Sequence, residues 1–174
     1  IGSVIVNGIS RIVAVTVEAN GLAQDDFANR TIISDQLPQT LLSTNTQTTK
    51  EAGEPAHAGQ AGGASVWWSW TAPLDGTVII DTAESNFDTL LSAYTGDAVT
   101  DLTEIASSDD ILGLQSRISF AVTAGQIYAI AVDGFAGATG SISLNLDSRF
   151  GRPAGDDFDD AQEIAVGLSF NDTL

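Results

Sequence analysis

Apolar and polar residues alternate with a period of two over much of this chain. The alternation runs through Ile12 to Glu18, Val66 to Trp70, Val78 to Asp81, Leu90 to Tyr94, Ile118 to Val122, Tyr128 to Val132 and Ile142 to Leu146. Successive side chains of an extended strand point to opposite faces, so this period predicts half-buried β-strands. Turn chemistry separates the runs: Asp75-Gly76, Thr95-Gly96-Asp97, Ala124-Gly125, Asp133-Gly134 and Thr139-Gly140. Asp bonds readily to nearby backbone, and Gly accepts the backbone angles that tight turns need. Short strands with a turn every ten or so residues predict an all-β, antiparallel sandwich. Helix is scarce. Its best candidate is one turn over Phe27 to Ile33, N-capped by Asp25 or Asp26. The segment Thr44 to Ala64 is polar and Gly-rich and reads as a long ordered loop.

One block occurs twice. Asp25-Asp26-Phe27-Ala28-Asn29-Arg30-Thr31-Ile32-Ile33 is followed, at an offset of 131 residues (156 − 25), by Asp156-Asp157-Phe158-Asp159-Asp160-Ala161-Gln162-Glu163-Ile164. Each block follows a period-2 apolar run, Val13-Val15-Val17 in the first case and Ile142-Leu144-Leu146 in the second. The offset is about the size of a small domain, so the recurrence predicts tandem repeats. One unit then spans 25–147. Residues 1–24 form an extra strand region, either the end of a preceding repeat or a strand used in assembly. Residues 148–174 form a linker and the start of a following repeat or an assembly segment. The strand expected over Ile9 to Glu18 must join a sheet edge, its own domain's or a neighbour's. The expectation is that at least one terminus pairs with a neighbouring copy or repeat, which would build an open, filament-like assembly unless the rotation closes.

Composition narrows the function. Among 174 residues there are 23 acidic and 6 basic ones, a formal net charge of −17, and Lys50 is the only lysine. Such a chain is not expected to bind nucleic acid, whose phosphates require Lys and Arg, nor anionic membranes. No apolar run approaches the roughly 18 residues that span a bilayer, so no membrane insertion is expected. No basic stretch followed by an apolar one marks a secretory leader. There is no Cys, so disulfides contribute nothing. The self-repulsion of so many carboxylates would be relieved by bound cations.

Several ordered segments together carry a family resemblance. Glu51-Ala52-Gly53-Glu54-Pro55-Ala56-His57-Ala58-Gly59 leads into Gly62-Gly63-Ala64-Ser65-Val66-Trp67-Trp68-Ser69-Trp70-Thr71-Ala72-Pro73. Then come Asp75 to Thr82, Ser85 to Gly96, Ser107-Ser108-Asp109-Asp110, Ser116 to Phe120, Ala124 to Gly134 and Thr139 to Leu144. Over about Asp25 to Asp147 the chain resembles the bacterial pre-peptidase C-terminal domain group. It is most similar to the variant repeated in large secreted and surface proteins, which carries an E-x-G-E-P-x-H-A-G loop. The resemblance implies a jelly-roll-like β-sandwich, a secreted or cell-surface setting, frequent calcium binding and an accessory, non-catalytic role.

Candidate site residues follow. Ca²⁺ takes about six to eight oxygens from carboxylates and carbonyls held by turns. The chain offers Glu51 and Glu54 in the long loop, Asp109 and Asp110 in a turn, and Asp88 and Asp133 at strand edges. The expected site draws on Glu51, Glu54 and the Asp109-Asp110 turn, although every one of these acids also reads as solvated surface or turn former. His57, the only histidine, reads as a structural hydrogen-bonder that pins the loop, or otherwise as a metal ligand or general base. A catalytic role would require a nucleophile and an orienting carboxylate beside it. Alternation places Val66, Trp68 and Trp70 on one face of a strand, with Trp68 and Trp70 in the core, and Trp67 on the other face. There Trp67 is either the more exposed of the three, free to stack on a sugar or a partner, or packed under the Gly-rich loop. The expected function is a non-enzymatic, calcium-stabilised module acting as a structural or adhesive unit in a tandem or polymeric surface assembly. The alternative is a glycan- or protein-binding accessory module of a secreted hydrolase.

Overall fold

The computed structural model describes residues 2–6, 9–14, 24–111 and 113–150. Strands β1 (Gly2–Val6) and β2 (Ile9–Ala14) come first. They are followed by β3 (Thr31–Ile33), β4 (Gln39–Thr44), β5 (Val66–Thr71), β6 (Gly76–Asp81), β7 (Thr89–Thr95) and β8 (Thr103–Ser108). The last three are β9 (Arg117–Val122), β10 (Ile127–Gly134) and β11 (Ser141–Phe150). Helix among the described residues is limited to three single turns of 3-10 type, at Phe27–Asn29, Val99–Asp101 and Phe135–Gly137.

The strands form two sheets, ordered β1-β2-β4-β11-β6-β9 and β3-β5-β10-β7-β8. Most neighbours are antiparallel; β2 with β4 and β3 with β5 are parallel. This is an all-β, jelly-roll-like sandwich. Its main core lies between the sheets. One sheet contributes Leu41, Val78, Ile80, Ile118, Phe120, Ile142, Leu144 and Leu146. The other contributes Val66, Trp68, Trp70, Leu91, Tyr128, Ile130 and Val132. These are the alternate residues of each run, as the period-2 pattern requires.

The five-stranded sheet has a second apolar layer on its outer face, where Phe27, Trp67, Tyr94, Ala129 and Ala131 pack together. Trp67 meets Phe27 edge-on at 5.2 Å between ring centroids and lies 5.9 Å from Tyr94. The preference for edge-to-face contact is that of rings with a negative face and a positive rim. Because both faces are covered, β5, β7 and β10 are buried along almost their whole length.

Three expectations change here: the exposure of Trp67, the extent of the helical turn and its cap. Trp67 is not the exposed tryptophan: it is 0% exposed, against 1% for Trp68 and 0% for Trp70. The alternation assigned the faces correctly, but a period of two does not say whether the second face is covered. With no face free, Trp67 cannot stack on a ligand. The helical turn stops at Asn29, and Thr31–Ile33 becomes a strand beside β5. Asp26 stands at the start of that turn without a capping bond. The strand expected over Ile9 to Glu18 is described to Ala14 and pairs with β4 of its own chain, Ile12 opposite Gln39; residues 15–18 lie outside the described residues. At the other end β11 runs past Asp147 to Phe150, and the recurring block at 156–164 lies outside the described residues.

Two cores imply two costs of similar size. Trp67→Ala and Trp68→Ala should each lower stability by about 3–5 kcal/mol, as large-to-small changes at buried aromatic sites do. Urea unfolding of the two variants checks this; a near-neutral Trp67→Ala would show that the outer layer contributes little.

Candidate metal centre

Two groups of acidic side chains converge in the described part of the molecule. In the first, ligand atoms of Glu54, His57 and Asp133 all lie within 4.8 Å of one another. In the second, those of Asp88, Asp109 and Asp110 do. Residue type alone would rank them alike, but their surroundings differ.

The first group sits under the long loop, on the outer face of the five-stranded sheet. His57 and Asp133 are fully buried. His57 Nε2 is 2.7 Å from Glu54 Oε1, and His57 Nδ1 is 2.8 Å from the Tyr94 hydroxyl. Burial raises the pKa of Tyr94 well above that of a free phenol, so its proton stays on. With a hydrogen on Nε2 the ring donates to Glu54, and Nδ1 pairs with the Tyr94 hydroxyl. Glu54 Oε2 accepts the Glu51 N–H at 2.8 Å. Burial alone would raise the Glu54 pKa, but hydrogen bonds from His57, Ser65 and the Glu51 backbone, with the His57 charge, outweigh it and leave it lowered. Asp133 Oδ1 accepts the N–H groups of Gly63, Ala64 and Gly134 at 2.7–3.0 Å, and Lys50 Nζ is 3.8 Å from Oδ2. Gly62 has φ +61°, and a Cβ there would lie 1.7 Å from Asp133 Oδ2. The backbone must come this close for the next two N–H groups to reach the carboxylate, so the position requires glycine. Every member of this group has protein partners. It is a clamp that ties the loop to the sheet.

The second group lies where Asp88, just before β7, meets the connection from β8 to β9. Asp88 and Asp109 are partly buried and Asp110 is exposed. Asp88 Oδ1 and Asp109 Oδ1 are shut off from solvent and have no hydrogen-bond partner. The pKa of Asp88 is raised by burial and then by the Asp110 charge; that of Asp109 is raised by burial and then by Asp110 and Asp88. A hydroxyl network beneath them fixes the loops. Thr82 Oγ1 and Thr89 Oγ1 are 2.6 Å apart, and Thr82 Oγ1 accepts the Ser116 N–H at 2.9 Å. Ser116 Oγ lies 2.6 Å from the carbonyl oxygens of both Thr89 and Asp109, which share its one hydrogen. All three hydroxyl residues are fully buried. Anionic oxygens held together without donors are what a hard, oxygen-seeking cation neutralises.

The structure thus separates residues that the sequence suggested as one site. Asp109 and Asp110 join Asp88. Glu54 joins His57 and Asp133. Glu51 belongs to neither group; its Oε2 accepts the Phe27 N–H at 3.0 Å. Thr82, Thr89 and Ser116 escaped the sequence reading because Ser and Thr near turns look like ordinary turn residues.

Glu54 should make the fold sensitive to acid. Its folded pKa is lowered, so its contribution is fully present above the unfolded value of about 4.3 and is lost as pH falls through the folded one. Glu54→Gln should therefore be less stable than the parent at pH 7, and the gap should close in acid. Urea unfolding across pH checks this; a constant gap would show that the carboxylate charge is not what matters.

No protein-family model matches the chain, and no curated protein does. Solved structures do. The pre-peptidase C-terminal domain of a Bacillus anthracis collagenase is 12% identical, covering 68% of this chain and 94% of that one, with a TM-score of 0.46. The Aeromonas hydrophila periplasmic inhibitor of g-type lysozyme is 12% identical, covering 80% and 99%, with a TM-score of 0.44. The Yersinia pseudotuberculosis-derived mitogen is 14% identical, covering 69% and 94%, with a TM-score of 0.39.

Proposed function

We propose that this chain is a non-catalytic, extracellular binding module braced by Ca²⁺ at Asp88, Asp109 and Asp110. The observation that carries the reading is the pair of solvent-shielded, unpartnered carboxylate oxygens on Asp88 and Asp109. A site of three carboxylates, one of them exposed, suits the weak sites of extracellular modules, which fill at about 10⁻⁴–10⁻³ M calcium. Catalysis has little support among the described residues, because both ring nitrogens of the only histidine are engaged in a buried clamp.

The same end of the molecule favours a protein ligand over a glycan. Ile111 and Leu114, on the loop that follows Asp110, are 62% and 54% exposed. Phe135, whose N–H bonds to the Asp88 carbonyl, is 40% exposed. Large apolar side chains left exposed at one end of a molecule mark interaction surfaces, whereas the tryptophans that would stack on sugar are all buried. A second reading, a unit of a tandem or polymeric surface assembly, is favoured by the block that recurs at 156–164.

Calcium at a hundredfold excess over its dissociation constant adds about 2.7 kcal/mol to a native state that alone binds it. At 2–4 °C per kcal/mol for a domain this size, Tm should rise by about 5–11 °C between EGTA and saturating Ca²⁺. Coincident melts would refute the calcium site.

Asp109→Asn supplies a test with a change of sign. A carboxyl whose folded pKa is raised costs stability once ionised, so stability is lost as pH rises through that pKa. In EGTA at pH 7 the variant should melt above the parent; in Ca²⁺ it should melt below it. Destabilisation under both conditions would mean that Asp109 serves packing alone.

A further inference from the structure

Residues 24–33 close one side of the outer apolar layer through a small set of contacts. Asp25 Oδ1 accepts the Thr49 N–H at 2.6 Å. The Phe27 N–H donates to Glu51 Oε2, and the Phe27 ring is buried against Trp67. The Gln24 carbonyl accepts the Trp67 N–H at 3.0 Å. Ile33 ends the segment in the main core. The outward positions do little: Ala28 and Asn29 are exposed, and Ile32 is 83% exposed.

The block at 156–164 retains what these contacts use and varies elsewhere. Asp156 stands for Asp25, Phe158 for the buried Phe27 and Ile164 for the buried Ile33. Three of the four exposed positions change: Ala28 becomes Asp159, Asn29 becomes Asp160 and Ile32 becomes Glu163, while Asp26 is kept as Asp157. Gly155 replaces Gln24 but keeps the carbonyl that Trp67 needs. The side-chain bonds of Gln24 and the Arg30 guanidinium over the Phe27 ring have no counterpart in Gly155 and Ala161. Beyond the Asp-Asp-Phe tripeptide itself, the recurrence keeps the buried Ile33 position as Ile164 while three solvent-facing positions differ.

We infer that residues 156–164 are a second clamp segment, fitted to the slot formed by Thr49, Glu51, Trp67, Tyr94, Ala129 and Ala131 on another sandwich of this kind. The inference deepens the tandem or polymeric reading and rests on it; it is independent of the cation site. In the described fold the slot is filled by the chain's own Asp25 to Ile33. A neighbouring unit whose segment is displaced presents the same Thr49 N–H, the same Glu51 carboxylate and the same aromatic wall to Asp156, the backbone N–H of Phe158 and the Phe158 ring. The affinity comes from one buried aromatic anchor flanked by backbone bonds, the arrangement of an interface hot spot.

The test opens the slot and offers it the second segment. Phe27→Ala in the full chain removes the resident anchor, and Phe27→Leu is a milder version should the first not fold. A synthetic peptide of residues 154–168 is titrated into the variant, followed by tryptophan emission and Tm. Expected are saturable binding and a rise in Tm, with a Phe158→Ala peptide binding at least about tenfold more weakly. The variant chain should also self-associate by light scattering, and Phe27→Ala/Phe158→Ala should not. Equal behaviour of the two peptides, or equal mass of the single and double variants, overturns the inference. If the parent chain still associates in that case, the assembly reading survives and only the slot assignment falls.

Discussion

The described fold depends on one condition: the five-stranded sheet is buried on both faces. Its inner face meets the other sheet, and its outer face lies under residues 24–30 and the loop from Asn45 to Ser65. A loop that covers apolar surface brings its own backbone polar groups out of water, and each then needs a partner. Asn45 supplies partners for the carbonyls of Ala64 and Ala138 and for the Gly140 N–H. Ser92 does so for Ala58, and Asp133 for Gly63, Ala64 and Gly134. The buried His57–Glu54 pair belongs to the same set. Residues that look like active-site chemistry in the sequence are therefore occupied in holding a cover in place.

The two acidic groups show how far surroundings outweigh residue type. Glu54 is buried, yet its pKa is lowered because donors surround it. Asp88 and Asp109 are less buried, yet burial raises theirs, because no donor meets either Oδ1 to offset it, and the charge of Asp110 adds to the rise. A carboxylate with donors needs nothing further; one without donors is paired with a cation or costs stability. In a chain with 23 acidic residues, this contrast singles out the second group, where counting acids could not.

Much of the fold was legible because period-2 alternation records which side of a strand meets a core. That reading assigned Val66, Trp68 and Trp70 to one face and Trp67 to the other, and it marked the strands at Val78, Leu90, Ile118, Tyr128 and Ile142. It marked no run over β1, β3, β4 or β8. β3 is only Thr31–Ile33. β4 puts Gln39, whose amide is bonded to the carbonyls of Ser34 and Gln36, on a buried face. β8 is a mostly exposed edge strand whose one apolar contact with the core is Ala106, too little to impose a pattern. The fate of Trp67 depended on a loop folding back over the sheet, a long-range event that local periodicity does not record. The site was legible only in part for the same reason: Asp109 and Asp110 are neighbours in sequence, but Asp88 joins them through the chain's return in space.

Strand order also sets a schedule for folding. In the six-stranded sheet β11 lies between β4 and β6, so Ser141–Phe150 is the shared neighbour of segments formed some 60 to 100 residues earlier in the chain (141 − 81 and 141 − 44). During synthesis both strands wait with an unpaired edge until residues 141–150 have emerged. Pairings this distant in sequence are slow to form, and open edges are where nascent chains aggregate. A net charge of −17 is a physical answer to that interval, because it makes incomplete chains repel one another. The acidity that strains the finished sandwich at Asp88 and Asp109 is also what keeps its unfinished copies apart.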